Sequence, residues 1–302
     1  MPGAMSEMRI AVAQCCHPAD GDVEALVRSY ARRAAEVGAQ LLVFPEFLMT
    51  PFQVGPEEMA RQAQGLQGPF SQMVRSVAAE FGLWVLYTVN ERPDCEDEGE
   101  VVDSARACEQ GASGSTQACE GGTSSASSFG GKPFNTAVLC NDAGEIRCVY
   151  RKAHLFNAGP HPESDSMQAG DELCPVIETP FGALSVAICY DLRFPEVFRR
   201  AALRGCQLML VPAGWVDGPG KDAQWRTLLA ARAIEDQMFV VGACRADKGY
   251  VGNSCVVDPT GKVVASAGCG EELLVASVDL SSVERLRESF PVLQHRRPEL
   301  YE

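Results

Sequence analysis

No apolar stretch reaches the roughly eighteen residues that a membrane-spanning helix needs, so none is expected. Histidine is scarce, with four residues, and no two of the thirteen cysteines stand in a Cys-x-x-Cys spacing. A zinc centre therefore has little to build on, and no metal or cofactor is expected. Positive charge is also short: 26 Lys and Arg face 40 Asp and Glu, for a net charge of −14. That balance opposes non-specific binding to nucleic acid or to an anionic membrane. It leaves open an anionic small molecule, which feels only its local pocket. The first residues lack a basic region followed by an apolar one, so no secretory signal is expected. Thirteen cysteines without such a signal read as reduced thiols in a cytoplasm. Cys140, Cys206, Cys244 and Cys255 lie in apolar runs and read as small core hydrophobes.

The 302 residues read as a single domain in which strand and helix signals alternate. Arg9 to Gln14 has strand character, and Val23, Leu26, Val27, Tyr30, Ala34 and Val37 follow the 3.6-residue helical period. Strand 41–44, a helix over about 69–81 and strand 83–89 follow. Thr136–Cys140 and Glu145–Tyr150 form a hairpin about Asn141-Asp142-Ala143-Gly144. Strands near 183–189, 207–211 and 238–244 alternate with helices 195–204 and 222–236. A second hairpin turns at Asp258-Pro259-Thr260-Gly261, strand 273–278 follows, and Ser281 is expected to cap a last short helix. Alternating units mixed with hairpins predict an α/β fold of mixed sheets layered with helices. Residues 93–132 break the pattern. This Gly-, Ser- and acid-rich stretch cannot build a core and reads as a disordered surface insertion carrying Cys95, Cys108 and Cys119.

Chemistry concentrates in Leu184-Ser185-Val186-Ala187-Ile188-Cys189-Tyr190-Asp191-Leu192-Arg193-Phe194-Pro195-Glu196. An apolar strand runs into a cysteine, and Pro195 opens a predicted helix whose positive end favours a thiolate. Glu46 follows Leu41-Leu42-Val43-Phe44-Pro45, and Lys152 follows Val149-Tyr150-Arg151. A thiol needs a base or a lowered pKa to act as a nucleophile. One route pairs Cys189 with a histidine, of which His154 is the best placed. The other uses Glu46 as base and Lys152 as fixed positive charge, with the Tyr190 N–H as a second oxyanion donor. Each residue also has a structural reading: Glu46 in an ion pair, Lys152 at the surface, Cys189 in the core. Arg193 either holds a substrate carboxylate or pairs with an acid such as Glu196. Phe52 and Trp215 either wall a pocket or fill the core.

Pro45-Glu46, Arg151-Lys152-Ala153-His154-Leu155-Phe156 and Cys189-Tyr190-Asp191-Leu192-Arg193-Phe194-Pro195-Glu196 occur in this order. Together they resemble the signature set of the nitrilase superfamily, the carbon–nitrogen hydrolases. The stretch Trp225 to Glu235 resembles the family's helix after the nucleophile strand, and the tail Phe290 to Tyr301 resembles that of the Nit-like branch of ω-amidases and deaminated-glutathione amidases. The resemblance implies an αββα sandwich that pairs into a homodimer. It also implies a triad of Glu46 as general base, Lys152 as oxyanion stabiliser and Cys189 as nucleophile, with Glu163 as a positioning carboxylate. The implied reaction converts a small carboxylated amide to acid and ammonia through a thioester. An N-carbamoyl hydrolase would use the same triad, and a non-catalytic metabolite-binding protein on the same fold is the rival from another class. A redox role for the insertion cysteines is a third reading.

Overall fold

The structure is a computed structural model that describes residues 7–51, 54–93, 131–159 and 161–300. Strand β1 (Met8–Gln14) leads to helix α1 (Val23–Glu36), opened by Asp22, whose carboxylate accepts the Ala25 N–H at 2.9 Å. There follow β2 (Leu41–Val43), α2 (Pro56–Gln62), α3 (Pro69–Phe81), β3 (Trp84–Glu91), β4 (Phe134–Cys140) and β5 (Ile146–Arg151). The second half runs β6 (Ile177–Thr179), β7 (Gly182–Val186), α4 (Pro195–Leu203), β8 (Leu208–Ala213), α5 (Lys221–Asp236) and β9 (Phe239–Cys244). It closes with β10 (Cys255–Val257), β11 (Val263–Ser266), β12 (Glu272–Val278) and α6 (Ser281–Ser289).

Among the described residues the strands form two six-stranded sheets, ordered β12-β1-β2-β3-β4-β5 and β11-β10-β9-β8-β7-β6. Both are mixed in the same way. Three parallel strands (β1, β2, β3 and β7, β8, β9) carry an antiparallel strand on one side and an antiparallel pair on the other. The two-residue side-chain period then sorts the core. Ile10, Val12, Leu41 and Val43 face the second sheet's Leu184, Val186, Leu208 and Leu210, while Ala11, Ala13, Leu42 and Phe44 face α1 and α3. Helices α4 and α5 cover the second sheet with Val197, Phe198, Trp225 and Leu229. The result is the expected αββα layering, in which central strands such as β2, β8 and β9 are buried on both faces and therefore almost wholly apolar. Close packing forces glycine at Gly242 on β9, where an added Cβ would lie 2.6 Å from both Trp225 and Leu229 of α5.

Both predicted hairpin turns form. Asn141 and Asp258 each fold their side chains back onto backbone N–H groups of the turn, and Gly144 and Gly261 take φ of 75° and 87°. Ser281, expected as the cap, is instead the first residue of α6, and the Asp279 carboxylate accepts its N–H at 3.1 Å. Residues 94–130 of the expected insertion lie outside the described residues; the segment joins the antiparallel neighbours β3 and β4. Among the described residues no helix is long and apolar enough to cross a membrane.

Candidate active site

The parallel strands of both sheets end on the same side, and the polar residues gather beyond those ends, where open α/β sheets leave a crevice. Glu46 lies three residues past β2, Cys189 three past β7, and Gly214 directly past β8. Lys152 directly follows β5. The alternation of that strand sends Arg151 outward, to Glu91 at 2.6 Å, and turns Lys152 inward to near-complete burial. The surface reading of Lys152 is thereby excluded.

Lys152 Nζ donates to Glu46 Oε1 at 2.8 Å and to Glu163 Oε2 at 2.7 Å and Oε1 at 3.0 Å. All three side chains are buried. Glu163 starts a short 3₁₀ turn over Glu163–Asp165, and its Oε2 also accepts the Phe156 N–H at 2.8 Å. Glu46 Oε2 accepts the Gly214 N–H at 2.6 Å. Glycine eases this approach, because a Cβ on residue 214 would lie 3.1–3.3 Å from Tyr250, Glu46 and Phe47 and would crowd them. Sequence reasoning missed Asn135 on β4, whose Nδ2 spans both carboxylates, 2.8 Å from Glu46 Oε1 and 3.0 Å from Glu163 Oε1. It also missed Arg245, buried just past β9, which donates to the Phe47 carbonyl at 2.7 Å and so fixes the loop that carries Glu46.

Cys189 has φ of 46°, a left-handed conformation that costs a non-glycine residue about 1–3 kcal/mol. Asp191 holds it there. Its buried carboxylate accepts the Ile188 N–H at 2.8 Å and the Tyr150 hydroxyl at 2.7 Å, while its own N–H donates to the Ile188 carbonyl at 2.9 Å. The same carboxylate takes His154 Nδ1 at 2.7 Å, and the imidazole stacks on Phe194 at 3.8 Å. His154 is thus committed behind the elbow, and among the described residues no histidine lines the cleft that holds Cys189. The cysteine–histidine route falls.

The expected thiolate is also corrected. Burial, then the Glu46 carboxylate, pushes the Cys189 thiol well above its ordinary pKa, and Lys152 offsets this only in part. The helix expected to help, α4, begins six residues after the cysteine, beyond an intervening 3₁₀ turn over Cys189–Arg193. Burial alone would lower the Lys152 pKa, but Glu163 and Glu46 outweigh it and hold the ammonium well above its usual range. These influences favour the neutral form of the Cys189 thiol and the charged form of Lys152.

These groups line a cleft together with Phe156, Tyr190, Arg193, Trp215 and Lys221. Trp215 is both wall and core: it lines the cleft and packs on Trp225 at 5.3 Å. Arg193 donates to Gln224 at 2.7 Å and rests its guanidinium 4.9 Å from the Trp215 ring centre, so the Glu196 pairing does not form. Phe52 lies outside the described residues.

The profile of the carbon-nitrogen hydrolase family matches residues 9–288. The chain belongs to that family. A deaminated glutathione amidase of Bos taurus is 35% identical over 285 residues, covering 89% of this chain and 76% of the relative. The crystal structure of the C. elegans NitFhit protein superposes with a TM-score of 0.79 at 29% identity, covering 99% of this chain and 67% of that one. A glutamate-to-glutamine variant of the amidase from Nesterenkonia sp. AN1 has a TM-score of 0.74 at 26% identity, covering 100% of this chain and 98% of that one. That structure shows covalent addition of the acetamide moiety of fluoroacetamide at the active-site cysteine. This carbon–nitrogen hydrolase is accordingly an enzyme of the amidase kind.

Proposed function

We propose that the enzyme hydrolyses a small carboxylated amide of the ω-amidase or deaminated-glutathione type, with Cys189 as nucleophile, Glu46 as general base and Lys152 as oxyanion stabiliser. The observation that carries the reading is a thiol, two carboxylates and an ammonium sharing one sheltered cleft, the ammonium within 2.8 Å of Glu46 and 2.7 Å of Glu163. Glu46 takes the thiol proton as sulfur attacks the amide carbon. An ammonium has three N–H groups. With one on Glu46 and one shared across the Glu163 carboxylate, the third is free for the oxyanion, joined by the Tyr190 N–H. Glu46 returns the proton to the amide nitrogen, ammonia departs, and a thioester remains. Glu46 then draws a proton from water, which attacks the thioester and releases the acid and the thiol. Glu163 is a positioning residue that holds the ammonium.

Cys189→Ala is expected to abolish turnover and to leave the fold intact by circular dichroism; undiminished hydrolysis in that variant would falsify the mechanism. The substrate is found by screening nitrogen release from α-ketoglutaramate, succinamate, deaminated glutathione and N-carbamoyl compounds. Carbon dioxide accompanying ammonia would assign a carbamoylase instead. A metabolite-binding protein would show neither turnover nor labelling of Cys189 by an electrophilic amide. We place the enzyme in the cytoplasm, in keeping with ten described cysteines that are all free thiols. We also expect a homodimer, for which exposed Leu203 on α4 and Ile234 on α5 offer apolar surface, and sedimentation would test it.

A further inference from the structure

Two cations stand in the same cleft as Cys189 without a carboxylate partner among the described residues. Arg193 lies over one side of the Trp215 indole, and Lys221 Nζ lies 5.9 Å from the centre of that ring and 5.4 Å from the centre of Phe156. Among the described residues neither has an acidic oxygen within salt-bridge reach, in a chain that carries 40 acids. The neighbouring Asp222 bonds instead to Arg226 at 3.0 Å and Asn253 at 2.9 Å. Helix stability does not account for Lys221 either. It is the first residue of α5, where the macrodipole disfavours a positive charge. The floor of the cleft holds one more carboxylate than ammonium, so an anionic substrate is repelled from it and drawn to the Arg193–Lys221 side. That gradient sends an uncharged amide inward and leaves carboxylates beside the two cations.

We propose that Lys221 is a specificity-determining residue: with Arg193 it selects amides that carry two negative charges at the end remote from the scissile bond. This rests on the amidase reading of the cleft. The test is a charge ladder of primary amides on one skeleton: pentanamide (uncharged), glutaramate (one carboxylate) and 2-(2-carbamoylethyl)malonate (two). For the unaltered enzyme kcat/KM rises along the ladder. Lys221→Met lowers it for the malonate by about five- to tenfold, mainly through KM, as loss of one charge-assisted contact in a partly screened cleft predicts. The loss shrinks with each carboxylate removed, and Lys221→Arg restores the preference. An equal loss on all three amides, or no loss on the malonate, overturns the proposal.

Calorimetric binding of the corresponding acids, propane-1,1,3-tricarboxylate against glutarate, separates the two claims. Tighter, Lys221-dependent binding of the tricarboxylate with every amide inert would sustain the role of Lys221 and remove the amidase function. Turnover without a charge preference would do the reverse.

Discussion

Replacing Glu163 with glutamine removes one negative charge while keeping nearly the same volume. Its two oxygens accept from Lys152, Asn135 and the Phe156 N–H, all of them donors. A glutamine offers one acceptor oxygen, so at least one buried donor is left facing an amide NH₂. Lys152 keeps Glu46 at 2.8 Å but loses half of its anchoring and the largest of the influences that raise its pKa. Misplacement of a reacting group by about 1 Å costs turnover on the order of a hundredfold, and that is the expected fall in kcat. The thiol should respond in the opposite sense. Glu46 and Glu163 both raise the Cys189 pKa, with Glu46 the larger influence, and Lys152 lowers it. The Glu163 charge is one of the influences that raise the thiol, so neutralising it should lower the Cys189 pKa. The assay is iodoacetamide labelling of Cys189 against pH, read by peptide mass, with Cys189→Ala as background. Glu163→Gln should move the labelling midpoint down, Glu46→Gln should move it further, and both should turn over poorly. A midpoint that stays fixed or rises in folded Glu163→Gln protein would show that this carboxylate does not set the thiol's acidity.

Asn135→Ala removes one donor from each of two buried carboxylates and should cut kcat by about ten- to a hundredfold with little change in KM, whereas a purely structural Asn135 would lower the melting temperature and spare kcat. Asp236, buried at the end of α5, has its pKa pushed up to about 7 by burial, with Arg199 pulling it down only in part. Its pKa in the unfolded chain is about 4, so the native state binds more protons between about pH 4 and 7, and stability falls as pH rises through that window by at most about 4 kcal/mol. Urea unfolding at pH 5 and pH 8 should show this slope flattened in Asp236→Asn; an unchanged slope would assign the dependence to other groups.

The elements themselves were legible because their local signals agree. Helix α3 occupies the predicted span from Pro69 to Phe81, and both hairpin turns fall on their Asn and Asp motifs. Long-range pairing left no such trace, as when β12 returns from the far end of the chain to lie beside β1. The same division runs through the site. Glu46, Lys152 and Cys189 were legible from the segments that carry them, whereas Glu163 followed only from the family resemblance. Asn135 was not legible, since one asparagine at a strand start reads as a turn residue. A signal existed nonetheless: β3 and β4 bring Asn90 opposite Asn135 and Glu91 beside Thr136, polar residues at the ends of two apolar strands. Gly214 and Arg245 act on Glu46 through a backbone N–H and two carbonyls, contacts that residue type does not encode.

Burial, then the Glu46 carboxylate, favours the protonated thiol at Cys189 despite the left-handed turn that presents it. A preformed thiolate would sit in a cleft lined by aromatic rings, open to any electrophile or oxidant that entered. On the proposed mechanism, a thiol held high by burial and Glu46 would react only when its proton can pass to that carboxylate as negative charge moves onto an oxygen facing Lys152. Under that proposal deprotonation would be coupled to attack on a bound amide and would not precede it. On this account Glu46→Gln should be labelled by iodoacetamide at lower pH than the unaltered enzyme and yet hydrolyse no amide. Acidity and turnover would part company, as they could not if the enzyme depended on a standing thiolate.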